Sequence, residues 1–170
     1  MTDIVFEDLN ADHDVGSFDC KKPDFVTFLQ NNARRNDKKG LGHTVVAVRS
    51  SDRAVKGYYT LCGSVLLREN LPEAELGLPR YPSIPGVLLA KLAVHKDYGG
   101  HKLGSRLVMS AMADAVEASK KVGWRFFMID AYDDDALAFY DHLKLGLMPV
   151  PKIERRLYLP IETIRAVLGA

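Results

Sequence analysis

Three glycines in one short run, Gly99, Gly100 and Gly104, stand between an apolar stretch and a segment of helical period. A backbone of that composition can approach a ligand closely, and the first amides of the following helix have no partner inside it. Those amides and the positive end of the helix dipole together suit an anion, phosphate above all. The same glycines also fit an ordinary tight turn, so the reading depends on context. A second charged feature lies between Gln30 and Lys56, where Arg34, Arg35, Lys38, Lys39, Arg49, Arg53 and Lys56 face only Asp37 and Asp52, a local excess of +5. Such a patch steers a polyanion, or it is simply a solvated helix end and loop. Cys20 and Cys62 have neither CxxC spacing nor neighbouring histidines, so neither a zinc site nor a disulfide framework is indicated. No metal is expected.

The elements that must carry these residues follow from hydrophobic period. Ile4 to Leu9 opens as a strand. Pro23 suits a first helical turn, and Phe25, Phe28, Leu29 and Ala33 give the helix after it one apolar face, with Gly40 to Gly42 as its stop. Thr44 to Arg49 and Gly57 to Leu67 pair as a hairpin. From Asn70 to Gly86 the prolines 72, 79, 82 and 85 argue for a loop near the substrate entrance, with Glu69, Glu73 and Glu75 solvated. Val87 to Val94 is almost continuously apolar, as in a strand buried on both faces. After the glycine loop comes a helix with Leu107, Ala111, Met112 and Ala115 on its inner face. A strand from Trp124 to Ala131 then reaches Asp133, Asp134 and Asp135, which suit the cap of a helix carrying Ala136, Phe139, Tyr140 and Leu143. A strand over Ile153 to Leu159 and a short helix after Pro160 close the chain. Strands and helices alternate without repeats, so the fold class is α/β.

At 170 residues, 47% hydrophobic and 26% charged, the chain suits one domain spanning 1–170. The net charge of +1 gives no global argument for a nucleic-acid partner. No run nears the roughly 20 apolar residues of a membrane span, and Met1-Thr2-Asp3-Ile4 lacks the form of a secretion signal. A cytoplasmic location without membrane association is therefore expected.

The run from Leu92 to Gly104, with Tyr98, Gly99, Gly100 and Lys102, resembles the acetyl-CoA motif of the GNAT N-acetyltransferases, which commonly reads Val-x-x-x-Tyr-(Gln/Arg)-Gly-x-Gly-x-Gly. Gly99 stands where Gln or Arg is usual, and Lys102 where the middle glycine is usual. Lys102 can add a charge opposite the phosphates, or its Cβ can narrow the turn. The resemblance implies a central, mostly antiparallel twisted sheet flanked by helices. It further implies that amides of Gly99, Gly100, His101, Lys102, Leu103, Gly104 and Ser105 hold the pyrophosphate of acetyl-CoA. Backbone groups of Leu92, Ala93 and Val94 then pair with the pantetheine arm as an added strand would. Asp130, Ala136 and Phe139 resemble the segments that flank the thioester. Tyr140 is implied to be the acid that meets the leaving thiolate, whereas spacing alone favours a place on the apolar face of its helix. No Glu or His is convincingly placed as a general base, including His95 and His101 beside the loop.

A finer resemblance is to the tRNA-acetylating toxins of this superfamily. It is carried by Phe18-x-Cys20, Gly57 to Leu61, Tyr81-Pro82-x-Ile84-Pro85, Leu88 to Val94 and Leu157 to Ile164. It implies acetylation of the α-amine of aminoacyl-tRNA, with phosphates held by Arg34, Arg35, Lys38, Lys39, Lys152, Arg155 and Arg156. Lys91 stands where those toxins often carry arginine. For Lys152 to Arg156 an exposed edge strand kept soluble by charge is an equal alternative. The resemblance also implies a ribbon-helix-helix antitoxin, operator DNA reached only through that antitoxin, and the homodimers frequent in the subgroup. Two other readings stay open: a GNAT enzyme acting on a small amine or protein amine, and a degenerate coenzyme A-binding module.

Overall fold

The structure, a computed structural model, describes residues 3–100 and 102–169. Seven strands form one sheet in the order β1-β2-β3-β4-β5-β7-β6. They are β1 Ile4–Asp8, β2 His43–Arg49, β3 Val55–Leu67, β4 Ser83–Val94, β5 Phe126–Asp130, β6 Met148–Pro149 and β7 Arg156–Pro160. The α-helices are α1 Pro23–Thr27, α2 Ala33–Lys38, α3 Leu103–Ala118, α4 Asp134–His142 and α5 Ile161–Leu168. β4 and β5 run parallel, whereas β1·β2, β2·β3, β5·β7 and β6·β7 are antiparallel. The expected mixed, mostly antiparallel α/β sheet is therefore present. Among the described residues no helix is long and apolar enough to cross a membrane.

Two compact units divide the chain, Met1–Cys62 with Ala90–Ala111 and Gly63–Leu89 with Met112–Ala170. In the first, the predicted hairpin forms, and Phe18, Leu29, Ala33, Val46, Val48 and Tyr58 share a core. Pro23 starts α1 as expected, but the helix does not continue regularly. Phe28–Asn32 is a π turn closed by Ala33 N–H donating to Phe28 O, and α2 follows it. Apolar spacing cannot reveal that insertion, because Leu29 and Ala33 reach the core with or without it. At Gly57 a Cβ would lie 2.9 Å from Leu107 Cδ1 and 3.2 Å from Ala93 O. Glycine here lets the start of α3 pack directly on β3.

In the second unit, Leu66, Ile84, Phe126, Met128, Val150 and Tyr158 form the core. The Trp124 indole N–H donates to Ala115 O at 2.8 Å. Four features depart from expectation. β4 starts at Ser83 rather than after Gly86. Its ladder with β5 begins only at Gly86↔Phe126, so Pro85 lies ahead of it and its missing N–H breaks no bond there. β4 is not buried on both faces: Leu89 and Ala93 are covered, whereas Leu88, Ala90, Leu92 and Val94 are half-buried. Glu75 is not solvated but buried, in a short 3₁₀ turn, because Arg125 pairs with it. Lys152 to Arg156 is not an edge strand, since turns occupy most of it and the edge beyond β7 is β6.

Candidate active site

The ladder between β4 and β5 ends at Leu89↔Ile129, and β4 continues alone of the two to Val94. Leu92, Ala93 and Val94 thus lie on strand backbone beyond the reach of that ladder. Past Val94 the chain makes a 3₁₀ turn, Lys96–Tyr98, capped by the His95 ring, whose Nδ1 accepts from Asp97 N–H at 3.1 Å. His95 Nε2 lies 3.2 Å from Ser17 O. An accepting Nδ1 makes Nε2 the donor, so both ring nitrogens are occupied and neither is placed to take a proton from substrate. The turn is tied down further where Lys96 N–H donates to Asp19 O at 2.9 Å and its ammonium meets Asp19 Oδ2 at 2.7 Å.

Gly99 is extended, with φ −62°, and Gly100 is left-handed, with φ +79°. Lys102 is left-handed as well, with φ +59°. That region favours glycine, which explains physically why a glycine is usual there. Lys102 thus occupies this region with a side chain that glycine lacks. His101 lies outside the described residues. The first ladder bond of α3 among the described residues is Arg106 N–H to Lys102 O, 3.1 Å. Leu103, Gly104 and Ser105 form the first turn of a 16-residue helix, beside exposed Gly99, Gly100 and Lys102. Backbone of this form cradles phosphate.

Tyr140 belongs to the second unit. α4 begins as predicted, with the Asp133 carboxylate accepting from Ala136 N–H at 2.9 Å. Tyr140 is 6% exposed, and its ring meets that of Phe139 edge-on at 5.1 Å. Burial pushes its phenol well above the ordinary value of 10.0, so it is a fully protonated donor at neutral pH. At the end of β5, Asp130 is gripped by Arg156 through two hydrogen bonds of 2.6 and 2.7 Å. Arg155 meets Asp134 at 3.1 Å.

The basic residues separate into two groups. Arg34, Arg35, Lys38 and Lys39 all lie at the surface around α2, at three- and four-residue spacings that place them on neighbouring positions of one helical surface. Arg49 faces Asp3 at 3.8 Å, Arg53 meets Glu7 at 2.9 Å and Lys56 faces Asp52 at 3.7 Å. The sequence patch thus contracts to three cations on α2 and one, Lys39, at its C-cap. The Lys91 ammonium lies over the rings of Phe25 and Phe28 at 5.7 and 5.2 Å. Lys152 is exposed, whereas Arg155 and Arg156 are engaged by carboxylates. Among the described residues no group of His, Cys, Asp and Glu side chains is arranged to hold a metal. Sequence reasoning missed the pairing of Glu75 with Arg125 and the setting of Tyr98, both of which join segments distant in the chain.

No family profile matches the chain. Over 164 residues it is 31% identical to a tRNA-acetylating toxin of Mycobacterium tuberculosis, covering 92% of this chain and 91% of that relative. Among solved structures it is similar to AtaT complexed with acetyl-methionyl-tRNAfMet, with a TM-score of 0.88, 31% identity and coverage of 98% and 99% of the two chains. It is also similar to a tyrosine-to-phenylalanine variant of AtaT bound to the C-terminus of the antitoxin AtaR and acetyl-CoA, with a TM-score of 0.83, 29% identity and 99% of each chain covered.

Proposed function

The chain belongs to the tRNA-acetylating toxins of the GNAT acetyltransferases, and we propose that it transfers acetyl from acetyl-CoA to the α-amine of an amino acid esterified to tRNA. An acetylated α-amine cannot act in peptide-bond formation, so the product arrests translation. The observation that carries the reading is the loop from Gly99 to Ser105. It holds left-handed residues at Gly100 and Lys102 ahead of the N-terminus of a long helix, in a chain alike over nearly its whole length to a toxin solved with acetylated tRNA.

The residues present fit acetyl-CoA. Amides from Gly99 to Ser105 hold the pyrophosphate, Leu92 to Val94 offer strand backbone to the pantetheine, and the resemblance assigns Asp130, Ala136 and Phe139 to the flank of the thioester. Acetyl-CoA supplies the acyl group and a thiolate leaving group. The amine nitrogen bonds to the acetyl carbon as the carbon–sulfur bond breaks, Tyr140 gives its phenolic proton to the sulfur, and the proton shed by the amine returns the phenol to its starting state through solvent. A free α-amine titrates at about 7.7–8.0, and the neighbouring ester lowers that further. Much of it is then neutral without help, in keeping with a His95 ring whose nitrogens are both occupied. Arg34, Arg35, Lys38 and Lys39 form the main tRNA surface, with Lys91, Lys152, Arg155 and Arg156 in secondary roles.

We further propose that residues 1–170 act as one GNAT domain in the cytoplasm. The partner is a ribbon-helix-helix antitoxin that alone contacts operator DNA, and the toxin self-associates as a homodimer. Cell-free translation tests the central reading. The chain should block synthesis only when acetyl-CoA is supplied, and Tyr140→Phe should relieve the block. A block that is indifferent to acetyl-CoA would remove the proposal.

A further inference from the structure

Tyr98 closes the 3₁₀ turn immediately ahead of the phosphate loop, with its N–H donating to His95 O at 2.8 Å. Two cations from outside the glycine motif lie over its ring: the Arg49 guanidinium carbon at 5.6 Å and the Lys56 ammonium at 5.4 Å. The His95 ring meets it edge-on at 6.3 Å. Arg49 ends β2 and Lys56 lies near the start of β3, so both sides of the hairpin turn reach one side chain of the loop.

The strand pairing explains how Lys56 comes to be there. Ala47 pairs with Gly57, but the next residue, Val48, pairs with Val55. Lys56 is therefore the extra residue of a β-bulge, the device by which a strand re-aims a side chain and frees a backbone group. Its carbonyl accepts from His95 N–H at 2.7 Å. One bulged residue thus holds the turn by its main chain and the Tyr98 ring by its side chain. The Lys56 side chain is only 14% exposed, and the Asp52 carboxylate faces it at 3.7 Å. A largely desolvated ammonium with so loose a counter-ion gains much from an aromatic face.

We propose that Arg49 and Lys56 are positioning residues for acetyl-CoA, acting through the Tyr98 ring to keep the Gly99–Ser105 backbone in its phosphate-binding shape. This rests on the acetyl-CoA reading of that loop. Because both act through the ring, they influence coenzyme binding only while Tyr98 is present.

The test is a double-mutant cycle read by calorimetric titration of acetyl-CoA into the full chain, with kcat and KM measured beside it. Lys56→Met and Arg49→Met keep bulk and remove charge. Each should raise the acetyl-CoA Kd about threefold, and the pair about tenfold, with the loss appearing in KM rather than kcat. Lys56→Arg, which keeps a cation, should recover most of the affinity. In a Tyr98→Leu background, already weakened, the two Met substitutions should add nothing further. Additive losses in that background would mean that the cations act on the coenzyme directly, and unaltered affinity in the single variants would mean that they do not position the loop; either result overturns the proposal. A wild-type chain that fails to bind acetyl-CoA would instead overturn the underlying reading. Should Lys56→Met not fold, as judged by circular dichroism, Arg49→Met at the more exposed position carries the cycle alone.

Discussion

His43 Nδ1 lies 3.0 Å from Asp37 Oδ2, and the other nitrogen of the same ring lies 2.9 Å from Asp8 Oδ1. Two carboxylates at two ring nitrogens require two N–H donors, which only the imidazolium possesses. Partial burial opposes the charge, but the hydrogen bond and attraction of Asp8, with those of Asp37, outweigh it and raise the His43 pKa above its ordinary 6.5. Asp37 is the one acid on α2, so this latch also keeps its charge from offsetting the exposed arginines and lysines.

The latch gives stability a pH dependence of definite sign. A histidine whose folded pKa is raised contributes stability that is fully present below 6.5 and lost as pH climbs through the higher folded value. Thermal denaturation should show wild type exceeding His43→Gln most clearly near pH 6, with the gap shrinking by pH 8.5. A gap that widens with pH would contradict the imidazolium assignment.

Arg125 presents the opposite case, an ion pair drawn inward. It makes two bonds of 2.8 and 3.1 Å to buried Glu75 and a further one to exposed Glu162. Glu75→Ala leaves a largely buried guanidinium short of its partner and should destabilise by about 2–3 kcal/mol, given that some solvent still reaches the arginine. Glu162→Ala should change stability by under about 1 kcal/mol. Urea denaturation of the two variants distinguishes these outcomes.

Lys102→Gly should stabilise the chain. Relief of a left-handed lysine is worth about 1–2 kcal/mol, and the added freedom of glycine in the unfolded chain removes part of that, leaving about 0.5–1 kcal/mol. The same variant loses a cation beside the phosphate loop, so its acetyl-CoA affinity should fall at low salt and converge with wild type as salt rises. Denaturation and titration at two ionic strengths read both effects.

Much of the fold was legible because it is encoded locally. Pro23, the β-rich hairpin strands and the Asp133 cap each announce themselves within a few residues, and the glycines at 99, 100 and 104 mark the loop. What stayed hidden depends on distant partners or on register. The burial of Glu75 depends on Arg125, fifty residues away. Lys56 reads as one more positive charge in a basic run until the β2·β3 register shows it bulged. Likewise the run from Gln30 to Lys56 reads as one basic patch, and only pairing reveals that Arg49, Arg53 and Lys56 face acidic neighbours. The half-buried face of β4 was also invisible, since apolar composition does not show where a neighbouring ladder ends.

That contraction of the basic patch is itself testable by nucleic-acid binding. Arg34→Ala combined with Lys38→Ala should weaken tRNA binding and reduce the slope of log affinity against log salt by about 0.7–0.9 for each phosphate left without its cation. Arg53→Ala, whose guanidinium is held by Glu7, should leave the slope nearly intact. Filter binding across a salt series measures both.

Tyr140→Phe removes a single hydroxyl from a buried ring. It should lower kcat about a hundredfold or more while acetyl-CoA still binds. Because burial holds the phenol pKa above its ordinary value, the wild-type enzyme should show no loss of kcat on the alkaline side up to about pH 9.5. An alkaline limb near neutrality that disappears in Tyr140→Phe would contradict the protonated-donor role.

The most direct measurement is of the product. Purified protein incubated with isotopically labelled acetyl-CoA and a total pool of charged tRNA, followed by nuclease digestion and mass spectrometry, should yield N-acetyl-aminoacyl-adenosine labelled on the α-amine, and it should not form with Tyr140→Phe. Label found only on free amines or protein lysines, with the charged tRNA untouched, would contradict the toxin chemistry.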